Sequence, residues 1–115
     1  MKGSREFPGV AALYGKIYAA GGRNDDRLAL NSVEMFDPVR NEWTYVANMT
    51  VARSGPALVS QGGKLWAFGG FDFRNDINPN LSSFEMYDPV IDKWTFMGDM
   101  KSMDGEVAGA GVLRY

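Results

Sequence analysis

A tandem repeat of about fifty residues organises the whole chain and most limits the folds it can adopt. Residues 5–22 align without a gap on residues 53–70, and residues 31–49 align on residues 82–100. Nine of the 19 positions in the second pair of blocks are identical. The copies differ in length only between the two aligned blocks, as surface loops do between fixed elements. The chain is therefore two copies of one structural unit.

Each copy is predicted to form four short strands joined by tight turns. In the first copy they are Gly9–Leu13, Lys16–Ala20, Val33–Phe36 and Trp43–Val46, and in the second copy Pro56–Val59 matches the first of these. Asp37 can accept hydrogen bonds from nearby backbone N–H groups, Pro38 fixes its own φ, and Asn41 tolerates a left-handed conformation, so residues 37–41 form a hairpin turn. No window shows a capped helical period. Strands at this spacing indicate an all-β sandwich, barrel or propeller.

Glycine doublets and aromatic pairs recur at matched positions in both copies. The residues concerned are Gly21, Gly22, Phe36 and Trp43 in the first copy and Gly69, Gly70, Tyr87 and Trp94 in the second. Glycine has no Cβ, so backbone or bulky rings can pack closely against the doublets. The two rings of each pair are seven residues apart and are predicted to fill the space between neighbouring sheets. These eight residues are predicted to be structural.

Composition excludes several classes of function. With 12 Lys and Arg against 14 Asp and Glu, the net charge is −2, so there is no basic field for nucleic acid. The chain contains no Cys and no His, which removes disulfides, thiolate nucleophiles, Cys/His zinc sites and Ser-His-Asp triads. Asp25, Asp26, Asp72 and Asp76 match no calcium loop. We predict no enzyme, no cofactor, no metal and no membrane span, and the lack of Cys favours a cytoplasmic protein.

The glycine doublet, the aromatic-Asp-Pro turn and the tryptophan that follows resemble the kelch repeat. The resemblance covers essentially the whole chain and departs at Phe36, where the family usually has Tyr. It implies that each repeat is a four-stranded antiparallel blade, and that about six blades close a ring around a channel. The chain is then a partial kelch β-propeller, with one blade at 5–49, a second at 53–100, and the first strand of a third at 105–115.

Two adjoining blades leave two broad faces uncovered, which soluble proteins avoid. Either further blades of a longer chain cover these faces, or the chain self-associates. Three copies of two blades would complete six, but a ninth strand per copy is one too many for such a trimer. The sequence therefore favours a piece of a larger propeller, with a homo-oligomer as the alternative.

The kelch resemblance implies a protein partner and the residues that contact it. In kelch-like proteins, contacts come from the segment after the glycine doublet and from the Arg before the small-residue strand. Carried over by position, the predicted partner-binding residues are Arg5, Arg23, Asn24, Asp25, Arg27, Arg53, Ser54, Phe71, Asp72, Arg74 and Asn75. Arg side chains would select an acidic or phosphorylated peptide. A structural ion pair is the alternative for Arg53, and Asp104 stands where a third Arg is expected.

Phe71 and Phe73 are a second candidate for partner contact, because aromatic side chains near Arg dominate interface hot spots. The alternative for both rings is packing against their own blade. The function predicted is a protein–protein interaction module, as the substrate-recognition part of a ubiquitin-ligase adaptor. An actin- or cytoskeleton-binding protein is the alternative, and a fragment of a kelch-type enzyme is a third interpretation.

Overall fold

The computed structural model describes residues 1–74 and 78–100, which form two four-stranded antiparallel sheets. The strands of the first sheet are β1 Gly9–Leu13, β2 Lys16–Ala20, β3 Val33–Asp37 and β4 Glu42–Val46. Those of the second are β5 Ala57–Gln61, β6 Lys64–Phe68, β7 Ser83–Asp88 and β8 Lys93–Asp99. The strands of each sheet lie in sequence order, and the all-β prediction is confirmed.

The observed strand bounds differ slightly from those predicted. β3 and β4 are longer by one residue each because Asp37 pairs with Glu42 across the hairpin. β5 begins at Ala57 rather than at Pro56, which has no N–H to donate to the sheet, and continues to Gln61. The third-blade strand predicted at 105–115 lies outside the described residues, as do Asn75, Asp76 and Asp104. No helix in the described part of the chain is long and apolar enough to cross a bilayer.

The turn between β3 and β4 has the geometry expected from its residues. The carboxylate of Asp37 accepts a hydrogen bond from the backbone N–H of Val39 at 3.0 Å. Asn41 has a φ of 55°, in the left-handed region that an Asn side chain tolerates. Because it joins β3 to β4 in an antiparallel sheet, this turn lies at the end of the sheet opposite to the connection between β2 and β3.

The two sheets pack against each other through β1, which contacts β5 and β6. The core lies along this seam and contains Leu13, Tyr18, Ala20, Val33, Met49, Leu65, Ala67, Tyr87 and Trp94. The Tyr18 and Tyr87 rings are 5.8 Å apart, and the indole N–H of Trp94 donates to the carbonyl of Ala47 at 3.0 Å. Tyr87 and Trp94 therefore fill the space between the sheets, as predicted.

The matching pair in the first sheet has a different environment. Phe36 and Trp43 are 5.1 Å apart, the same separation as Tyr87 and Trp94, but they are only half-buried. The second sheet covers the opposite side of the first sheet. The side that carries Phe36 and Trp43 has no neighbouring sheet among the described residues.

The first glycine doublet lies where backbone from the two sheets comes into close contact. Gly21 has a φ of 66°, and a Cβ there would overlap the carbonyl oxygen of Arg53. The N–H of Gly22 donates to the same carbonyl at 2.8 Å. Glycine is needed here because the neighbouring backbone, rather than a ring, approaches the doublet.

Candidate functional site

The candidate site lies at one end of the two sheets, which we call the loop end. An antiparallel sheet in sequence order places there the segments before β1 and β5 and the connections β2–β3 and β6–β7. Two isolated bridges hold these segments together, one between Glu6 and Arg23 and one between Ser54 and Phe71. Nearly all of the predicted partner-binding residues belong to these four segments.

Arg53 is completely buried within the second blade. Its side chain and that of Glu85 have no exposed surface, and its guanidinium donates to the Glu85 carboxylate at 3.1 Å. Further N–H groups donate to the carbonyls of Gly69 at 3.0 Å and of Ser83 at 2.9 Å. Arg53 thus ties the start of its blade to the glycine doublet and to β7.

Arg5 makes the same interactions in the first blade. Its Nε donates to Glu34 at 2.8 Å, and Nη1 donates to the carbonyls of Gly21 and Ser32, both at 2.9 Å. Two buried Arg–Glu pairs therefore occupy equivalent positions in the two blades. Burial makes each pair costly to break, because the remaining charge would have no partner.

Burial affects the pKa values of these pairs in opposite ways. Burial alone would raise the pKa of Glu34, but hydrogen bonds from the Lys2 backbone, from Arg5 and from the Gly3 backbone outweigh it, so the pKa is below its ordinary value. Burial lowers the pKa of Arg53, and the charge of Glu85 opposes this. The geometry is that of a structural ion pair.

The predicted partner contacts at Arg5, Arg53 and Ser54 need correction. Arg5 is 9%, Arg53 0% and Ser54 5% exposed. Both guanidinium groups already donate to acceptors within their own blade. For Arg53, the alternative of a structural ion pair describes the structure, although the partner is a strand residue rather than a neighbouring loop.

An apolar pocket of about 280 Å³ opens at the loop end, across the seam between the blades. Its lining consists of Phe7, Arg23, Ser54, Gly55, Phe71 and Phe73. The rings of Phe71 and Phe73 are nearly parallel, with centres 5.9 Å apart, and 42% and 56% of their surfaces remain exposed. These rings pack on each other and face the pocket, so both are accessible to a partner.

Two arginines lie beside this pocket. Arg23 stacks on Phe7, with its guanidinium carbon 4.9 Å from the ring centre, and pairs with Glu6 at 3.2 Å. Its Nε is buried without a hydrogen-bond partner among the described residues. Arg23, Arg27 and Phe73 line a second pocket of about 260 Å³. The structure thus brings a cationic surface and an aromatic surface together.

Asn24 and Asp25 have interactions within the β2–β3 loop. The amide oxygen of Asn24 accepts from the N–H groups of Asp26 at 2.9 Å and Leu28 at 3.0 Å, which closes a turn. The Asp25 carboxylate accepts from the Ser4 hydroxyl at 3.2 Å. Asn24 therefore shapes the loop that carries Arg23 and Arg27.

Asp72 and Arg74 form an ion pair with each other. Their closest atoms are 2.9 Å apart, and a hydrogen bond from Arg74 holds the pKa of Asp72 below its ordinary value. Arg74 also donates to the carbonyl of Ala29 at 3.3 Å, which connects the two loops across the seam. No group of three or more acidic side chains in residues 1–74 and 78–100 is arranged to hold a metal.

Four residues that shape the loop end were not among those predicted from the sequence, namely Phe7, Gly55, Glu34 and Glu85. The signal for the two glutamates was present, because they are identical at matched positions inside otherwise apolar strands, as are Arg5 and Arg53. Phe7 aligns with Gly55 in the repeat, and glycine at that position indicates a left-handed backbone. Such a backbone turns the ring of Phe7 out toward the pocket.

Comparison with known proteins agrees with this architecture. The family model described as Kelch motif matches residues 4–50 and 52–101. The chain belongs to the kelch-repeat family. A solved structure of YjhT matches 85% of this kelch-repeat chain and 39% of its own, with a TM-score of 0.72 and 18% sequence identity. That likeness shows the shared fold, in which each sheet is a propeller blade.

Several curated kelch proteins are similar in sequence. Alpha-scruin of Limulus polyphemus is 35% identical over 82% of the chain, and Kelch-like protein 25 of Rattus norvegicus is 32% identical over 95%. A kelch repeat and BTB domain-containing protein of Caenorhabditis elegans is 43% identical over 70%. The chain spans only 10% of alpha-scruin, 19% of Kelch-like protein 25 and 14% of the Caenorhabditis elegans protein.

Proposed function

We propose that this kelch-repeat chain is a protein-interaction module that binds a protein partner at the loop end of its two blades. The observation that supports the proposal is the accessible aromatic pocket next to Arg23 and Arg27. Loops on a rigid scaffold commonly carry binding residues, and aromatic and Arg side chains dominate interface hot spots. Of the predicted contacts, Arg23 and Phe71 line this pocket, and Arg27 lines the second pocket beside it.

The partner class follows from the family rather than from the pocket. A relative whose name includes a BTB domain supports the role of substrate recognition in a ubiquitin-ligase adaptor. In that role the blades would present a substrate protein to machinery carried elsewhere. Binding to actin is the alternative that the kelch resemblance offers.

A comparative capture experiment tests the proposal. The purified chain and a Phe71→Ala/Phe73→Ala variant are immobilised, and retained proteins are quantified by mass spectrometry. We expect one set of proteins to be retained at least about tenfold less by the variant, which corresponds to about 1.4 kcal/mol of binding free energy. Since both rings are largely exposed, tryptophan fluorescence should show that the variant remains folded.

A matched control separates the loop end from the rest of the surface. Val39 is 92% exposed at the opposite end of the first blade, so Val39→Ser should retain the same proteins as the unmodified chain. Identical capture by the unmodified chain and the double variant would refute the proposed site. Co-sedimentation with purified actin filaments then decides between the two partner classes.

A further inference from the structure

The two outer sides of the sheet pair are both apolar. The side of the first sheet that faces away from the second, which we call the head face, carries Val10, Ile17, Phe36 and Trp43. The side of the second sheet that faces away from the first, which we call the tail face, carries Ala57, Val59, Trp66 and Met86. All eight residues are half-buried or exposed, and no sheet among residues 1–74 and 78–100 covers either face. Apolar surfaces of this kind are uncommon on monomers.

The head face has the residue types of a buried surface. In the repeat alignment Ile17 matches Leu65, which lies in the core between the sheets. Leu65 is completely buried, whereas Ile17 is 39% exposed. Trp43 is half-buried where the matching Trp94 is buried. The head face therefore lacks only the sheet that would cover it.

The tail face corresponds to the side of the first sheet that the second sheet covers. Trp66 aligns with Tyr18, and Tyr18 contacts the ring of Tyr87 across the seam at 5.8 Å. Phe36 aligns with Tyr87, so Trp66 on the tail face and Phe36 on the head face hold the matching positions. The head and tail faces are therefore related to each other as the two sides of the seam are.

The first blade has its buried ion pair complete without a connection from another blade. In the second blade, Glu85 accepts hydrogen bonds from backbone N–H groups of residues 49–53, which join the two blades. In the first blade, Glu34 accepts the matching hydrogen bonds from the backbone N–H groups of Lys2 and Gly3. A sheet from another molecule can therefore cover the head face while this buried site is already filled.

We propose that the head face of one copy of this chain binds the tail face of a second copy, in the arrangement that the two sheets have within one chain. In the seam, a Cβ at Gly9 would lie 2.9 Å from the Cβ of Leu58. Between copies, the matching positions are Ala57 and Val10. The methyl group of Ala57 sets a slightly wider spacing there. Because the two faces differ, the contact is head to tail and can repeat from copy to copy.

Residues 105–115 of the same chain are the competing occupant of the tail face. The alignment places Asp104 where Arg5 and Arg53 stand before the first strands of the two blades. Each of those arginines ties the start of its blade to a buried glutamate. Since Asp104 has no guanidinium for such a pair, the sequence favours a second copy as the occupant.

Two single-cysteine variants test the contact, because the chain itself contains no Cys. Val10→Cys lies on the head face and Ala57→Cys on the tail face, and both positions are exposed, so each variant should fold. The Cβ atoms of a disulfide lie about 3.5–4.5 Å apart, which suits the expected spacing. Under mild oxidation, an equimolar mixture should form at least about tenfold more disulfide-linked dimer than either variant alone, because binding raises the effective concentration of the two thiols.

Light scattering during gel filtration gives an independent measurement. The average mass of the full chain should exceed that of one copy and rise with concentration. Ile17→Glu should weaken the association at least about tenfold, because the contact would bury an unpaired carboxylate. Val90→Glu is the matched control, since Val90 is 86% exposed and the matching Val39 remains 92% exposed beside the second sheet. This control should associate as the unmodified chain does.

Three outcomes would overturn the inference. These are the mass of a single copy at every concentration, equal disulfide formation in the mixture and in the separate variants, and association that Ile17→Glu leaves unchanged. If Ile17→Glu does not fold, the cysteine variants decide alone. The proposed function is tested separately, because the capture experiment changes Phe71 and Phe73, which lie on neither face.

Discussion

Replacement of Arg53 by Met should destabilise the protein strongly, although the two side chains have similar length. The change removes the guanidinium that neutralises Glu85. Among the described residues, the buried carboxylate then keeps the Thr50 N–H and hydroxyl and the Val51 N–H as donors. Loss of one member of a buried ion pair costs about 3–5 kcal/mol. A domain of this size has a total stability of about 5–15 kcal/mol, so Arg53→Met should remove a large part of it.

Urea denaturation followed by tryptophan fluorescence measures the effect, since Trp94 is buried in the folded chain. The free energy of unfolding should fall by about 3 kcal/mol or more, and the melting temperature by at least about 12 °C. Arg40→Met is the control, because Arg40 is exposed in the hairpin turn, and it should change stability by less than about 0.5 kcal/mol.

Two companion variants keep the measurement informative if Arg53→Met does not fold. Glu85→Gln leaves the Arg53 charge buried without its counter-ion but keeps an acceptor for the guanidinium, so its cost should lie toward the lower end of about 3–5 kcal/mol. The double variant Arg53→Met/Glu85→Met should be more stable than the sum of the single changes predicts, because neither charge remains buried. A loss below about 1 kcal/mol for Arg53→Met, or strict additivity in the double variant, would refute our account of the pair.

Two further predictions concern the acid stability and the seam between the blades. Because the pKa of Glu34 is lowered in the folded chain, its contribution to stability is present above its ordinary value of 4.5 and is lost as the pH falls below it. Melting temperatures should therefore decline less steeply in acid for Glu34→Gln, and parallel curves would contradict this. Gly21→Ala should cost about 2 kcal/mol or more through left-handed strain and overlap with a carbonyl, as measured in urea, whereas Gly15→Ala, with open space around it, should cost less.

The local structure of the blades could be predicted from the sequence because short-range chemistry determines it. Asp37 and Asn41 stabilise the turn in which they lie. A glycine doublet indicates that other atoms approach the backbone closely, whichever residue those atoms belong to. The repeat supports each of these predictions twice, because every strand and turn occurs in both copies. Strand bounds differed by one or two residues, either because cross-strand pairing extends a strand, as at Glu42, or because a proline cannot pair, as at Pro56.

The contacts across the blades could not be predicted in the same way. Arg53 was predicted as a partner contact from the kelch resemblance, with a structural ion pair as the alternative. Its burial depends on Glu85, which lies 32 residues further along the chain. Phe7 reaches the pocket because it adopts the conformation of Gly55, while Phe71 and Phe73 approach from another blade. Contacts between segments so far apart in the chain can be recognised only in the folded structure.

The contact between the two blades is asymmetric, because each blade contributes different groups to it. Trp94 of the second blade donates to Ala47 of the first, and the Ala47 N–H donates in return to Asp92 at 2.9 Å. Trp43 carries the equivalent indole on the uncovered side of the first blade. A further blade that packed on this side as the first blade packs on the second would have to offer a backbone carbonyl to Trp43, as Ala47 does to Trp94.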